Sequence, residues 1–111
     1  MNVYREGELD WLPHTAKGAE RKILISKKEH KVDVTCMLVR IPKGVEIPEH
    51  IHDAQDDIIY VLQGKFRLWA EGADHDAWKG TLLRVPKGVK HRIYDVQEDT
   101  LLYDVFVPAT L

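Results

Sequence analysis

Short runs in which apolar and polar residues alternate follow one another along most of the chain. In residues 65–70, Phe66, Leu68 and Ala70 alternate with other side chains. A repeat of two residues is typical of a β-strand, whose successive side chains point to opposite faces. No stretch of helical length places apolar residues at helical spacing while avoiding Gly and Pro. The pattern therefore predicts an all-β protein.

The predicted strands are separated by turn signals. The segments rich in β-branched, aliphatic and aromatic residues are 21–26, 31–41, 57–63, 65–70, 81–85, 90–96 and 100–107. We predict an extended segment over 45–52, turns at Gly64, 71–74 and 86–88, and an irregular arm or edge strand over the first 20 residues. Turn signals about every 8 to 12 residues are typical of a sandwich or barrel. We expect a small antiparallel barrel.

One turn occurs twice. The sequence Ile41-Pro42-Lys43-Gly44-Val45 is echoed by Val85-Pro86-Lys87-Gly88-Val89. Proline presets the backbone for the second position of a turn and glycine suits the fourth, so both copies predict the same bend. A histidine-bearing segment follows each copy. Five shared residues are too few to establish an internal duplication.

Composition narrows the classes of function. The 111 residues predict one domain, and 16 Lys and Arg against 18 Asp and Glu, without a basic block, favour neither nucleic acid nor a membrane surface as a partner. No segment has the apolar core of a signal peptide or the length of a membrane span, so we expect a cytoplasmic protein. The single cysteine, Cys36, fits a reducing compartment and is expected to act as a small apolar residue.

Three histidines and one aspartate are candidate metal ligands. His50 and His52 are two residues apart and so share one face of an extended segment, where a single ion could contact both. Asp57 opens a strand on the same face as two aliphatic residues, which places a carboxylate at the rim of an apolar surface. His91 follows the second Pro-Lys-Gly turn. Imidazole and carboxylate together fit a divalent transition metal.

The order of these residues resembles the two-part signature of the cupins. Its first part runs over residues 44–64, from Gly44 through His50, His52 and Asp57 to Gly64, and its second part over residues 80–95, from Gly80 through Pro86 and His91 to Asp95. The resemblance implies a single cupin domain over residues 1–111, a jelly-roll barrel (a double-stranded β-helix) that holds one divalent metal through His50, His52, Asp57 and His91. Asp57 stands where cupins commonly have Glu, and Asp95 where they often have Asn.

Several points about this site stay open at the level of sequence. The ion could be Zn, Ni, Fe or Mn, because these ligand types suit all four. Gln55 competes with Asp57 as the fourth ligand. The other histidines, His14, His30 and His75, are expected to be ordinary surface or core residues.

The two ends of the chain are similar to those of small cupins that convert cyclic unsaturated uronates from pectin and alginate to a linear keto form. The similarity lies in residues 18–24 and 101–108. In the last strand Asp104 and Phe106 share one face with Leu102, and we expect the opposite, apolar set (101, 103, 105 and 107) to be packed. If Asp104 faces the barrel interior, it is a candidate catalytic proton-transfer group and Phe106 a candidate substrate-binding residue. The alternative is that Asp104 faces solvent.

One departure concerns substrate anchoring. Related enzymes often carry an arginine after this strand, whereas this chain has Ala109-Thr110-Leu111 there. Candidate replacements are Arg67, Arg84 and Arg92.

Three functions are compatible with these features. The first is a metal-dependent isomerase or lyase acting on a small acidic sugar-like metabolite. The second is a metal-dependent dioxygenase of the flavonol, diketone or thiol type, and the third is a non-catalytic cupin that binds a small ligand. We also expect a homodimer, since Trp11 and other apolar residues near the N-terminal arm would otherwise be exposed.

Overall fold

The computed structural model describes all of residues 1–111. It contains ten β-strands, one 3-10 helix and one single-turn α-helix. The strands are β1 (Leu12–Pro13), β2 (Glu20–Ile25), β3 (Thr35–Ile41), β4 (Ile47–His50), β5 (Asp56–Gln63), β6 (Lys65–Ala70), β7 (Ala73–Trp78), β8 (Leu82–Val85), β9 (His91–Tyr94) and β10 (Thr100–Val107). The 3-10 helix is Glu6–Glu8, and α1 is Lys27–His30. No helix has both the length and the hydropathy that crossing a bilayer requires.

The strands form two antiparallel sheets. One has six strands in the order β1-β2-β3-β10-β5-β8, and the other has four in the order β4-β9-β6-β7. The buried apolar cluster draws on both sheets, with Val61 and Leu102 from the first and Phe66, Leu68 and Ile93 from the second. The apolar residues of both inner faces therefore form one core, which confirms the predicted all-β jelly-roll barrel.

Two short elements differ from the sequence prediction. Residues 71–74 were predicted to be a turn, but β7 already begins at Ala73. Its sequence ADHDAW has a single buried side chain, Ala77, so it carries no apolar alternation. The helix α1 precedes β3, which consequently starts at residue 35 instead of 31. Ser26 caps this helix by accepting the Glu29 N–H, and Lys31 ends it in the left-handed conformation.

The strand register brings three side chains of β10 to the inner face of the six-stranded sheet. Phe106 lies opposite Asp57, and Asp104 opposite Ile59, with Leu102 in the next row. All five are buried. Direct antiparallel partners share a face, so the four residues of these two pairs lie side by side. The apolar set of the same strand was expected to be packed, but it is half-buried or exposed on the outer face.

The N-terminal arm is fixed to the outer side of β2. The buried ammonium of Lys22 donates to the Glu6 carbonyl at 2.9 Å and to the Glu6 carboxylate at 2.5 Å. Trp11 lies under two cations, with its ring centroid 4.1 Å from the Arg40 guanidinium and 4.7 Å from the Lys22 ammonium. Trp11 is therefore packed within this chain.

The turn between β5 and β6 requires glycine. Gly64 has φ +106, a backbone conformation that other residues rarely adopt. A Cβ there would lie 2.7 Å from the Cα of Thr100. The first residue of β10 consequently packs directly on the turn.

Candidate metal centre

Two imidazoles face each other across a strand pair of the four-stranded sheet. His50 ends β4 and is the register partner of His91, which opens β9. The two ring centroids lie 4.1 Å apart, and His52, just beyond β4, lies 5.0 Å from His50 and 5.3 Å from His91. The two Pro-Lys-Gly turns precede these segments, so the repeated bend brings distant parts of the chain together.

The six-stranded sheet contributes a carboxylate to the same point. The Asp57 Oδ2 atom lies 3.5 Å from His91 Nε2 and 3.7 Å from His52 Nε2. The four residues His50, His52, Asp57 and His91 each offer a ligand atom, and these atoms lie within 4.8 Å of one another. The structure therefore brings together all four residues that the sequence singles out.

Backbone hydrogen bonds fix the tautomer of two rings. The Nδ1 atom of His50 is 2.7 Å from the Pro48 carbonyl oxygen, and that of His91 is 3.0 Å from the Val89 carbonyl oxygen. A carbonyl only accepts, so each Nδ1 carries the proton and each Nε2 has a free lone pair. Burial lowers the pKa of His50 and of His52, which favours the neutral, metal-ligating form.

The buried polar atoms that lack a hydrogen-bond partner indicate where this protein could bind a ligand. Four buried side-chain nitrogens or oxygens make no hydrogen bond: Arg21 Nε, Asp57 Oδ1, His91 Nε2 and Asp104 Oδ1. All four residues line the same cavity. Unsatisfied groups are costly, so such a cluster points to a ligand. Two of these atoms belong to the His-His-Asp-His group, which accordingly fits a divalent cation.

The positions of Asp57 and Gln55 differ with respect to the three histidines, and this difference indicates which one is the fourth candidate ligand. The Gln55 side chain donates its Nε2–H to the Ala109 carbonyl oxygen at 3.4 Å and is not part of the four-residue group. Asp57 is buried and faces His91. The carboxylate is therefore the better candidate for the fourth ligand.

Asp104 faces the cavity and not solvent. Its side chain is buried and lines the cavity with Asp57. Burial and the neighbouring Asp57 charge raise the pKa of Asp104 well above its usual value. Burial would also raise the pKa of Asp57, but interactions with Asp104, His91 and His52 outweigh it and hold that pKa below its usual value. Of the two neighbouring carboxyl groups, Asp104 therefore has the higher pKa and is the one that more readily carries a proton.

The cavity has a volume of about 440 Å³ and one aromatic wall. Phe106 is buried there, with its ring centroid 4.9 Å from that of His52. The other residues that line the cavity include Met37, Val39, Ile59, Ile93, Leu102, Glu49 and Thr110. A space of this size with apolar walls and a few polar groups is typical of small-molecule sites.

The three arginines suggested by sequence lie elsewhere. Arg67 pairs with Asp76 at 3.1 Å, Arg84 pairs with Asp56 at 2.7 Å, and Arg92 stacks on a tyrosine. None of them lines the cavity. Their expectation as substrate anchors is therefore wrong: all three are exposed on outward-facing positions, where surface groups satisfy them.

Two cavity residues were not identified from the sequence. His14 was expected to be an ordinary histidine, but it lines the cavity beside Arg21. Its Nδ1 accepts the N–H of Ala16 at 2.9 Å. Arg21 lies between two other charged residues, Glu20 and Lys22, so the local sequence does not single it out. Nothing local distinguishes His14. The other two histidines that were expected to be ordinary residues, His30 and His75, lie outside the cavity.

The chain matches known proteins over most of its length. The family described as cupin domain matches residues 37–106. The chain is 30% identical over 91 residues to the pectin degradation protein KdgF of Dickeya dadantii (strain 3937), spanning 82% of this chain and 79% of that protein.

Solved structures with this fold superpose on almost the whole chain. The structure of KdgF from Halomonas sp. superposes with a TM-score of 0.85 at 27% identity, over 97% of this chain and 94% of that one. An RmlC-like cupin from Shewanella frigidimarina NCIMB 400 superposes with a TM-score of 0.84 at 21% identity, over 99% and 93% of the two chains.

Proposed function

This chain belongs to the cupin family, and from that premise we propose that it is a metal-dependent enzyme acting on a small acidic sugar-like metabolite. The reaction type is isomerase or lyase, and the specific candidate is linearisation of an unsaturated uronate. The observation that carries the proposal is the buried cluster of unsatisfied groups in one cavity, where a candidate metal group meets the carboxyl of Asp104.

In this proposal His50, His52, Asp57 and His91 hold one divalent cation, and Asp104 is not a ligand. A bound cation would supply Lewis-acid stabilisation of negative charge on substrate oxygens. The candidate ions are Zn, Ni, Fe and Mn, since imidazole and carboxylate ligands suit all four. The related Dickeya protein is a pectin degradation protein, which supports an acidic sugar as the substrate class.

The chemistry of linearisation needs a proton to move. In a cyclic 4,5-unsaturated uronate the bond between C1 and the ring oxygen breaks, the C1 hydroxyl becomes an aldehyde, and the ring oxygen becomes an enol at C5. Protonation at C4 and loss of the enol hydroxyl proton then give a ketone. The net change is the transfer of the C1 hydroxyl proton to C4, with no oxidation and no added water. Asp104 is placed to hold or transfer that proton, because its carboxyl is buried, has a raised pKa and makes no hydrogen bond at Oδ1.

Phe106 is assigned to substrate binding. Its ring lines the cavity beside His52, and its register partner is Asp57. The flat apolar face of a sugar ring packs well on such an aromatic surface. This would orient the substrate between the candidate metal group and Asp104.

The decisive experiment follows the substrate directly. Purified protein loaded separately with Zn²⁺, Ni²⁺, Fe²⁺ or Mn²⁺ is mixed with the 4,5-unsaturated monouronate, and loss of the conjugated double bond is followed by ultraviolet absorbance and NMR. We expect a rate above the spontaneous one that disappears after chelation. Oxygen uptake with a flavonol, β-diketone or thiol would instead favour the dioxygenase. Tight binding of the uronate without any turnover would favour the non-catalytic cupin.

We also propose a homodimer in the cytoplasm. The N-terminal arm is already packed in this chain, so the expected interface moves to the outer face of the six-stranded sheet. There Tyr60 and Leu82 are register partners, with exposed fractions of 42% and 65%. Exposed apolar neighbours of this kind support an interaction surface. Light scattering of the wild type and of Leu82→Glu would test it, with a dimer expected for the first and a monomer for the second.

A further inference from the structure

We propose that Arg21 binds the carboxylate of the substrate and makes the cavity selective for acids over their neutral analogues. The proposal rests on the proposed function for the kind of substrate and extends it by naming the residue that recognises the charge. It also assigns a role to the one buried unsatisfied atom that belongs to neither the candidate metal ligands nor Asp104.

The position of Arg21 is set by the strand register. Arg21 lies in β2 opposite Val39 of β3. Val39 is buried in the core, with an exposed fraction of 2%. Direct partners share a face, so the Arg21 side chain starts on the inner side of the sheet. It reaches the cavity that also contains the candidate metal group.

Arg21 has no anionic partner in the protein. Its Nε is buried and makes no hydrogen bond, and no carboxylate oxygen lies within 4.0 Å of its nitrogens. Arginines on the outer surface behave differently: Arg40 pairs with Glu20 at 2.7 Å and Arg84 with Asp56 at 2.7 Å. A partly buried cation without a counter-ion is destabilising, and an anionic ligand would remove that cost.

The neighbouring side chain does not compete for the ligand's charge. His14 accepts the Ala16 N–H at Nδ1, so its remaining proton is on Nε2. Burial and the charge of Arg21 lower the pKa of His14, so the ring is a neutral donor. Among the residues that line the cavity, Arg21 therefore carries the full positive charge.

The guanidinium geometry fits a carboxylate in particular. Its N–H groups form a planar fork that can donate two parallel hydrogen bonds to the two oxygens of a carboxylate. Lysine presents a single ammonium and cannot reproduce this arrangement. A neutral ester retains the oxygens but loses the charge, so the acid and its ester form a matched pair of probes.

The test compares D-galacturonate with its methyl ester on metal-loaded protein by calorimetry. We expect the wild type to favour the acid by roughly tenfold to hundredfold, in line with hydrogen bonds to charged groups. Arg21→Gln should bring the ratio of the two affinities close to one, and Arg21→Lys should give an intermediate ratio. The matched control Arg67→Gln removes an exposed arginine outside the cavity and should leave the ratio unchanged. Metal content and circular dichroism establish that each variant is folded.

A second measurement needs no variant. The ¹H–¹⁵N signal of the Arg21 Nε group should shift on addition of D-galacturonate and stay in place with the ester. Equal wild-type affinity for acid and ester, an unchanged preference in Arg21→Gln, or an immobile Nε signal would each overturn the role of Arg21.

The two proposals fail in distinguishable ways. Turnover of the unsaturated uronate with no effect of Arg21→Gln on the acid preference keeps the proposed function and removes Arg21 from it. An acid preference that depends on Arg21, without any turnover of the uronate, keeps this inference and ends the proposed reaction.

Discussion

His50 and His91 hold their imidazoles in the same way: each directs Nδ1 to the backbone carbonyl oxygen two residues earlier in the chain, at Pro48 and Val89 respectively. Metal-binding histidines usually have such a second partner, which fixes the tautomer and the ring orientation. Here the partner is backbone in both cases. No single side-chain substitution can remove it, so ring orientation depends on the two bends of the chain.

Replacing one of these rings should remove the metal. We expect His50→Ala to lose most of its bound ion, because only three of the four candidate ligands remain. Mass spectrometry of the metals in purified protein measures this, with exposed His75→Ala as the matched control. A metal that stabilises the native state should raise the melting temperature of wild type and control but not of His50→Ala. Equal metal content in all three proteins would contradict the assignment.

Asp104→Asn should separate catalysis from metal binding. The amide keeps the shape of the side chain but cannot exchange a proton as a carboxyl does, so turnover should fall by about 10²–10⁴. Metal content should stay at the wild-type level because Asp104 is not among the candidate ligands. The control Asp76→Asn changes an exposed acid outside the cavity and should keep activity. Joint loss of metal and activity in Asp104→Asn would assign it to the metal group instead.

The choice of fourth ligand can be tested with a pair of variants. Asp57→Asn removes the charge that faces His52 and His91, and we expect metal affinity to fall by at least about tenfold, as a perturbed metal site does. Gln55→Ala removes a side chain that bonds to the Ala109 carbonyl, and affinity should change little. Competition with a chromogenic chelator measures both. The reverse order of effects would give the fourth position to Gln55.

Gly64→Ala should destabilise the fold far more than Gly72→Ala. Both glycines have positive φ, +106 and +75, but only at Gly64 would a Cβ meet the backbone of Thr100. We expect about 1 kcal/mol for Gly72→Ala from backbone conformation alone and at least about 3 kcal/mol for Gly64→Ala. Urea unfolding followed by circular dichroism gives both values. Similar losses in the two variants would mean that the strand opposite the turn yields easily.

The sequence was most informative where burial and alternation coincide. The bounds of β6 match the prediction because its buried apolar residues Phe66 and Leu68 alternate with the exposed Lys65 and Arg67. The bounds of β10 match because aliphatic and aromatic residues are frequent along the whole strand. The same reasoning failed for β7, since a strand with one buried alanine has no pattern to detect. It also misjudged β10, whose more apolar set faces outward, because parity identifies two faces without saying which one is inside.

The residues of the candidate site also differ in whether the sequence could predict them. The four candidate ligands could be found because two short motifs fix their spacing, and the structure places them together. Arg21 and His14 come from the N-terminal part of the chain, and only the pairing of β2 with β3 and of β1 with β2 brings them to the cavity. Such long-range neighbours leave no local signature. Asp104 lay between these cases, since parity reduced its position to two possibilities.

The four candidate ligands are divided between the two layers of the barrel, with His50 and His91 on one sheet and Asp57 on the other. An ion bound by ligands from both sheets would cross-link them, and its affinity would depend on the distance between the two sheets. Substitution of a core side chain outside the cavity, such as Leu68, would then change the affinity for the ion by changing the distance between the two sheets.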